Sequence, residues 1–305
     1  MRLVFFNKNK SEKAGKLVVS VSILIVGVFF FLNLTILGYF LFFVSPVSAD
    51  LRVVFLDVGQ GDAILIQTPQ QNIIIDGGPD KSIVRKLDQY IPITERRIDL
   101  MILTHPDGDH LTGLVEILRR WPVITVAESG LKSNSPAYIE FNSLIKSKNI
   151  KRHIINVPQR ITFEDNLFFD FLWPCSKESI ENNEGDCNFL SLVFMLNYGD
   201  NNFLFTGDAT KETEEELMSQ GLNLRADVLK AGHHGSKHSS GLNFLKAVNP
   251  EYAIISVGKD NNFGHPSLRV LDNFRKINAN VLRTDEKGDI IFESNGQTLT
   301  LKTER

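Results

Sequence analysis

The distribution of apolar and charged positions divides the chain at about residue 45. Residues 17–44 contain no charged side chain over 28 positions, which exceeds the roughly 20 apolar residues that span a bilayer. Residues 1–16 carry five basic side chains and one acidic side chain, and such an excess of positive charge is typical of the cytoplasmic side of a membrane. We therefore predict a basic cytoplasmic tail at 1–16, a single transmembrane anchor at 17–44, and a remainder that lies outside the membrane.

The same apolar run is also compatible with a cleaved signal peptide. The stretch that follows it, "SPVSAD", offers small residues and a cleavage position after Ala49, so a secreted protein is the alternative. Because the apolar core of a signal peptide spans only about 7–15 residues, the length of the run favours the uncleaved anchor. Both interpretations place residues 50–305 outside the cytoplasm.

From residue 51 onward, short β-rich runs alternate with helical patterns. The runs "LRVVFL", "AILIQT" and "NIIIDGG" predict three successive strands separated by turns. The order of the elements predicts two mixed sheets with helices outside them. This is a four-layer αββα sandwich of α/β (α+β) class, in one domain at 50–305. The predicted helices are at about 81–90, from 112, at 138–148, 211–219, 241–248 and 267–276, and the later strands are at 99–104, 123–127, within 153–206, and in "ADVLKA", "YAIISV", "DIIFES" and "TLTLKT".

The net charge of the predicted domain limits how it can bind a polyanion. Residues 1–49 hold five of the 33 basic residues and one of the 36 acidic residues, so residues 50–305 carry a formal net charge of −7. No global basic field is present to attract nucleic acid, and any such contact has to be local.

The two cysteines, Cys175 and Cys187, flank a polar stretch in the predicted exported part. In an oxidising compartment this spacing predicts a disulfide that closes a short loop, with a stabilisation of about 3 kcal/mol in the chain-entropy model. Metal ligation by the pair is the weaker interpretation, since neither histidine nor a Cys-x-x-Cys spacing accompanies it.

The stretch "LTHPDGDH" places two histidines and two aspartates within six positions, directly after an apolar run. Imidazole nitrogens and carboxylate oxygens together are typical ligands of divalent metals. Two further predicted strands lead through a glycine turn to the same kinds of side chain, in "FLFTGDAT" and "VLKAGHHGS". We therefore predict that three strand ends form one metal site. Its candidate ligands are His105, Asp107, Asp109, His110, Asp208, His233 and His234.

The pattern H-x-D-x-D-H resembles the H-x-H-x-D-H signature of the metallo-β-lactamase superfamily, with Asp107 in place of its second histidine. Further stretches occur in the same order between about 51 and 300, and with them the chain is similar to the C-terminal hydrolase domain of the ComEC family of DNA-uptake proteins. These stretches are "FLDVGQGDAILI", "IIIDGG", "LTHPDGDHLTGL", "NFLSLVF", "FLFTGD", "LKAGHHGSKHSS" and "FGHPS". The resemblance implies an αββα fold and two divalent metal ions.

The resemblance also implies how the ligands are shared. Three aspartates make the set richer in oxygen than a three-histidine zinc site, which favours Mn²⁺, with Zn²⁺ the alternative. In this scheme the first metal is held by His105 and Asp107, the second by Asp109, His110 and one histidine of the pair His233 and His234, and both by Asp208.

Other residues take supporting roles in the same scheme. Asn188 occupies the position of a further superfamily histidine and is a weak ligand or a hydrogen-bond donor to a ligand. Asp76 is expected to orient a ligand histidine rather than to bind metal. His265 contacts the substrate or protonates a leaving oxygen, or is an ordinary loop residue. Together with Asp109 it is a candidate catalytic residue. The candidate substrate-binding residues, or simply a polar loop, are Ser236, Lys237, Ser239 and Ser240.

A two-metal site of this kind activates water and neutralises phosphoryl charge. We therefore predict a membrane-anchored, extracytoplasmic, metal-dependent phosphodiesterase, a nuclease acting on DNA and linked to competence. A cell-envelope esterase acting on teichoic-acid or phosphocholine groups is the alternative that the net negative charge favours. A non-catalytic binding module on the same fold is a third possibility, which the retained cluster of carboxylates disfavours.

Overall fold

The computed structural model describes residues 50–164, 166–174 and 187–305, together with Gly27, Val28 and Phe30. The chain divides into two compact units, 1–48 and 49–305. Within the described residues, no helix has the length and apolar character needed to cross a membrane. The basic tail and the anchor predicted for the first unit fall almost entirely outside the described residues, and both stay predictions.

In the second unit, the described residues form an 8-stranded and a 7-stranded sheet. The first sheet has the order β15-β14-β1-β2-β3-β4-β5-β6, with β3 to β6 parallel and the other neighbours antiparallel. Its strands are β1 (Leu51–Phe55), β2 (Ile64–Gln67), β3 (Asn72–Ile75), β4 (Ile98–Leu103), β5 (Val123–Glu128), β6 (Lys151–Ile154), β14 (Ile290–Ser294) and β15 (Leu299–Thr303).

The second sheet has the order β13-β12-β11-β10-β9-β8-β7. Here β10 to β13 run parallel and β7 to β10 run antiparallel. Its strands are β7 (Gln159–Glu164), β8 (Leu167–Trp173), β9 (Val193–Tyr198), β10 (Asn201–Phe205), β11 (Val228–Lys230), β12 (Tyr252–Ile255) and β13 (Asn280–Arg283).

The two sheets face each other across an aromatic core. Phe55 of the first sheet and Phe169, Phe194 and Phe205 of the second belong to one buried cluster, and the apolar area they remove from water stabilises the pairing of the sheets. Three helices cover the outer face of the first sheet, and three cover that of the second, so the predicted four-layer αββα sandwich is confirmed. The helices are α1 (Ser82–Tyr90), α2 (Gly108–Arg120), α3 (Pro136–Ser147), α4 (Lys211–Ser219), α5 (Leu242–Val248), α6 (Leu268–Lys276) and the short α7 (Thr284–Lys287).

Helix α2 begins four residues earlier than the sequence pattern predicts, at Gly108 instead of near residue 112. Asp107 precedes it with extended backbone at the N-cap position, so the first helical turn contains Asp109 and His110. The polar motif thus hides the helix start, because its side chains turn toward a site rather than toward the apolar core. Strand β13 and helix α7 were also missed. Strand β13 has no fully buried position, and α7 has only four residues, too few to show a helical period.

The backbone of helix α2 lies directly against the backbone of the segment that follows β3. A Cβ atom at Gly113 would lie 1.8 Å from Gly77 O, and one at Gly77 would lie 2.3 Å from Leu114 N. The two segments also exchange hydrogen bonds, from Gly77 N to His110 O at 2.7 Å and from Gly113 N to Gly78 O at 3.0 Å. This close approach sets the position of His110 relative to the end of β3.

We predict that Gly113→Ala separates α2 from the end of β3 and lowers the free energy of unfolding by about 1–3 kcal/mol. The new methyl group would collide with backbone atoms, which cannot move aside as a flexible side chain can. Gly108→Ala is the matched control in the same helix, because a Cβ there meets only Thr112 Oγ1 at 3.8 Å. Urea unfolding of both metal-free variants measures the difference. Equal midpoints for the two variants would show that the contact is unimportant.

Candidate metal centre

The Asp208 carboxylate lies at the centre of a group of histidines at the carboxyl ends of β4, β10 and β11. Its Oδ1 is 3.3 Å from His110 Nε2, and its Oδ2 is 3.6 Å from His234 Nε2. Two more imidazoles approach Oδ2, His233 Nε2 at 3.7 Å and His105 Nε2 at 4.0 Å. The three strand ends singled out in the sequence therefore meet around one carboxylate.

The ring nitrogens that face Asp208 have the properties of metal ligands. His105 Nε2, His110 Nε2 and His234 Nε2 are buried and have no hydrogen-bond partner among the described residues, and the same holds for Asp208 Oδ1. Buried polar atoms without a partner are costly and rare in folded proteins. A divalent cation among these atoms would satisfy all of them.

The other nitrogen of each ring is held by the protein. His110 Nδ1 is 2.8 Å from Asp76 Oδ2, and His234 Nδ1 is 2.9 Å from the Ser256 carbonyl oxygen. His105 Nδ1 is 3.0 Å from Thr104 Oγ1. Ligand histidines in metal sites are typically fixed in this way through the nitrogen that does not bind the metal. Asp76 therefore lies where an orienting residue is expected.

Two further aspartates lie beside the histidines, in or next to two adjacent donor groups that share His110. Asp107 Oδ2 is 3.6 Å from His105 Nε2, and Asp109 Oδ2 is 3.2 Å from His234 Nε2. Ligand atoms of Asp109, His110 and His234 lie within 4.8 Å of one another, as do those of His105, His110 and Asp208. These donor atoms fit divalent metal ions in two neighbouring positions.

The structure separates the two adjacent histidines after β11. His234 has a 2 % exposed side chain and turns its Nε2 into the donor group of Asp109, whereas the His233 side chain is 28 % exposed. Both residues have left-handed backbone, with φ of 48° and 53°, which is strained for residues other than glycine. The two rings are nearly perpendicular, at an interplanar angle of 78°, and the buried His234 is the better placed ligand.

The electrostatics of the site favour positive charge. Burial lowers the pKa of His234, but Asp208 and Asp62 outweigh burial and raise it to about 9. Burial raises the pKa of Asp208, yet His234 and His110 hold it well below its usual range. The imidazole of His105, 3.6 Å away, lowers the pKa of Asp107 to about 2. The carboxylates therefore stay ionised and stabilise cations among them.

Two buried residues of the site were missed in the sequence. Asp62, in the turn between β1 and β2, lies 3.4 Å from His234 Nδ1 through its Oδ1. Lys230, the last residue of β11, forms an ion pair with Asp62 and donates to Gly207 O at 2.9 Å. Each is only 1 % exposed. A lysine inside the apolar run "VLKA" could have indicated a buried charge at this strand end. Asp62 was interpreted only as part of a turn.

The charge of the cluster favours divalent cations. Five aspartates surround it, and the ammonium group of Lys230 offsets one of them, which leaves four negative charges when the imidazoles are neutral. Divalent cations bound to neutral imidazoles would offset this charge. The aspartates are Asp62, Asp76, Asp107, Asp109 and Asp208.

The comparisons with known proteins agree with this geometry. Residues 56–259 match the family described as the Metallo-beta-lactamase superfamily. The chain belongs to this superfamily. Its fold binds divalent metals, usually two, and the donor groups around Asp208 are candidate positions for them. The metallo-beta-lactamase fold protein YhfI of Bacillus subtilis superposes with a TM-score of 0.52 at 16% identity, covering 80% of this chain and 100% of that chain.

Two relatives connect this metallo-beta-lactamase domain with the ComEC family, as the sequence motifs predicted. ComE operon protein 3 of Bacillus subtilis (strain 168) is 32% identical over 274 residues, which are 83% of this chain and 34% of the relative. Competence protein ComA of Neisseria gonorrhoeae is 31% identical over 248 residues, which are 80% of this chain and 32% of the relative. The chain thus spans about a third of the length of either relative.

The remaining candidate residues lie around the metallo-beta-lactamase site. The His265 ring is 5.9 Å from the His233 ring, and burial lowers its pKa, with His233 contributing. Asn188 lies in the turn before β9, next to Cys187, whose Sγ is 2.9 Å from Asp107 Oδ1. Cys175 lies outside the described residues, so the disulfide stays a prediction.

The serine-rich loop after His234 is held by internal hydrogen bonds. Ser239 Oγ donates to Gly232 O at 2.6 Å, and the Ser240 backbone N–H donates to Glu214. Burial raises the pKa of Glu214 to about 7. Ser236 is also buried, while Lys237 is exposed. These bonds shape the loop, and the predicted contact of its residues with substrate stays a prediction.

We predict that Lys230→Met lowers the free energy of unfolding by about 3–5 kcal/mol, because it leaves the buried Asp62 carboxylate without its charge partner. Lys230→Met combined with Asp62→Asn should recover part of that loss, since the unpaired charge is gone. Urea unfolding of the metal-free single and double variants measures the coupling. Strictly additive losses would show that the two side chains do not depend on each other.

Proposed function

We propose that the chain is a metal-dependent phosphodiesterase that cleaves DNA. The observation that carries the proposal is a set of three imidazole nitrogens around the Asp208 carboxylate that have no hydrogen-bond partner among the residues the structure describes. A DNA-related substrate is supported by the names of the relatives, one of which is called Competence protein ComA. Because this chain spans only about a third of either relative, their names guide the choice of substrate and no more.

The arrangement has a closed and an open side. Asp62 and Lys230 close the site from within, since each is only 1 % exposed. Asp107, Asp109 and His233 form the accessible edge, with partly exposed side chains. A phosphodiester can therefore approach the donor groups from this edge. When bound, divalent ions supply Lewis-acid chemistry, which activates water and neutralises phosphoryl charge.

His265 lies near this edge and contributes to substrate positioning. Because burial and His233 lower its pKa, its imidazole is neutral at pH 7. A neutral ring fits hydrogen bonding to a phosphodiester better than proton donation to a leaving oxygen. Asn188 keeps the role proposed from the sequence, a weak ligand or a hydrogen-bond donor to a ligand.

The donor set favours Mn²⁺ over Zn²⁺ as the working ion. Three aspartates around the two positions supply anionic oxygen, and carboxylate-rich sites suit Mn²⁺ better than sites built from histidine or cysteine alone. The ligands of the two ions would be His105, Asp107, Asp109, His110, Asp208 and His234.

We test the proposal with Asp208→Ala, which should lose both ions and at least about 10³-fold of the DNA-cleavage rate, because residues that act as one unit fail together. His265→Ala should lose about 10²–10⁴-fold in rate while both ions stay bound. The control is His153→Ala, since His153 lies on β6 and contacts Gln159. Elemental analysis and cleavage of single- and double-stranded DNA, with Mn²⁺ and separately with Zn²⁺, provide the measurements.

The alternatives give different results in this assay. A wild-type chain that binds no divalent ion overturns the proposal. A metal-loaded chain that leaves DNA intact but hydrolyses a teichoic-acid or phosphocholine ester is the envelope esterase. A chain that hydrolyses no ester is a binding module.

We also propose that residues 17–44 anchor the chain in the cell membrane with the domain outside. The support is the uncharged run and the basic residues before it. Protease added to intact spheroplasts should then degrade residues 50–305, while the chain sediments with membranes. Protection of the domain would contradict this orientation, and a released protein that begins at Asp50 would indicate the cleaved signal peptide.

A further inference from the structure

Phe263 is a large aromatic side chain exposed beside the site. It lies in the loop between β12 and α6, and 69 % of its surface is accessible. The Phe263 and His265 rings lie nearly parallel, at an interplanar angle of 21° with centroids 5.8 Å apart. The outer surface of the Phe263 ring is thus available to a further planar group.

The loop holds this ring in a defined position. The Asn261 side chain accepts from the backbone N–H groups of Phe263 and His265, at 3.2 and 3.0 Å, and donates to His265 O at 2.6 Å. It also donates to Gly258 O at 3.1 Å, just after β12. A loop whose backbone is fixed in advance loses little conformational entropy when its ring binds a partner.

The rings lead from the surface to the metal centre. Phe263 stacks on His265, whose ring centroid is 5.9 Å from that of His233. His233 Nε2 is in turn 3.7 Å from Asp208 Oδ2. Phe263 therefore lies two ring spacings from His233. A planar group on Phe263 and a phosphate at the donor groups can belong to one short stretch of strand.

The charge of the domain favours such a contact. Residues 50–305 carry a formal net charge of −7, so attraction to the phosphate backbone is weak outside the metal positions. Stacking of a base on an aromatic ring does not depend on net charge and tolerates any base. The two contacts together would hold a strand that the domain as a whole does not attract.

We propose that Phe263 is a subsite for an unpaired nucleobase, which makes single-stranded DNA the preferred substrate. This inference rests on the proposed function, cleavage of DNA. In a duplex the bases are stacked on one another and cannot reach the ring, so Phe263 acts on single strands alone.

The test measures binding by fluorescence anisotropy with the purified full chain. The probe is a phosphorothioate-linked oligothymidylate of about 12 nucleotides, within the usual range of site sizes, whose linkages resist hydrolysis. Phe263→Ala should bind it about 5- to 150-fold more weakly than the wild type, the factor that corresponds to one stacked base. Phe263→Trp should bind as the wild type does. An abasic strand with the same backbone should bind equally weakly to wild type and Phe263→Ala.

Ile93→Ala is the matched control. Ile93 is 81 % exposed and precedes the amino end of β4, whereas the metal centre lies at the carboxyl ends of the strands. Its loss should leave oligothymidylate binding unchanged, and blunt duplex DNA should not distinguish Phe263→Ala from the wild type.

Two failures are distinguishable. If the wild type cleaves DNA and Phe263→Ala binds the oligothymidylate as tightly as the wild type, the subsite is overturned and the nuclease function stands. If the wild type neither binds nor cleaves DNA but hydrolyses another ester, the proposed function falls and the subsite falls with it.

Discussion

The structure depends on a concentration of negative charge buried at the carboxyl ends of its parallel strands. Asp208 lies at the centre, with Asp62 and Asp76 behind the histidines and Asp107 and Asp109 at the accessible edge. Buried carboxylates at this separation repel one another strongly unless cations lie between them. The imidazoles and Lys230 meet part of that demand, and divalent ions are suited to meet the rest.

The two-sheet framework supplies what this charge requires. Each sheet has parallel strands whose carboxyl ends reach the same rim, and the aromatic core between the sheets holds the two rims together. The contact of Gly113 with Gly77 brings α2 onto the end of β3, so that Asp76 meets His110. Stability of the sandwich and geometry of the donor groups are therefore linked.

The site is asymmetric, and its two sides differ in chemistry. On the inner side, Lys230 and Asp62 are buried, and their ion pair contributes to the charge balance of the site. Outside, the ring of Phe263 continues the row of rings that begins at His233. The inner side stabilises the cluster, and the outer side is where a substrate meets the protein.

Much of this protein follows from its sequence. The alternation of apolar runs predicted most strands and helices, because periods of 2 and 3.6 are local properties of the chain. The H-x-D-x-D-H pattern with Asp208 and the His233–His234 pair predicted the ligand types, since each follows a strand through a short turn.

Tertiary structure alone decided the remainder. The ion pair of Asp62 and Lys230 joins a turn to a strand end that is distant along the chain. The selection of His234 over His233 depends on backbone that only the folded turn imposes. The position of Phe263 in line with His265 depends on the hydrogen bonds of Asn261. The ion pair arises from a contact between separate segments, and the other two features arise from the backbone conformation of folded loops. A pattern of apolar and polar neighbours along the chain records neither.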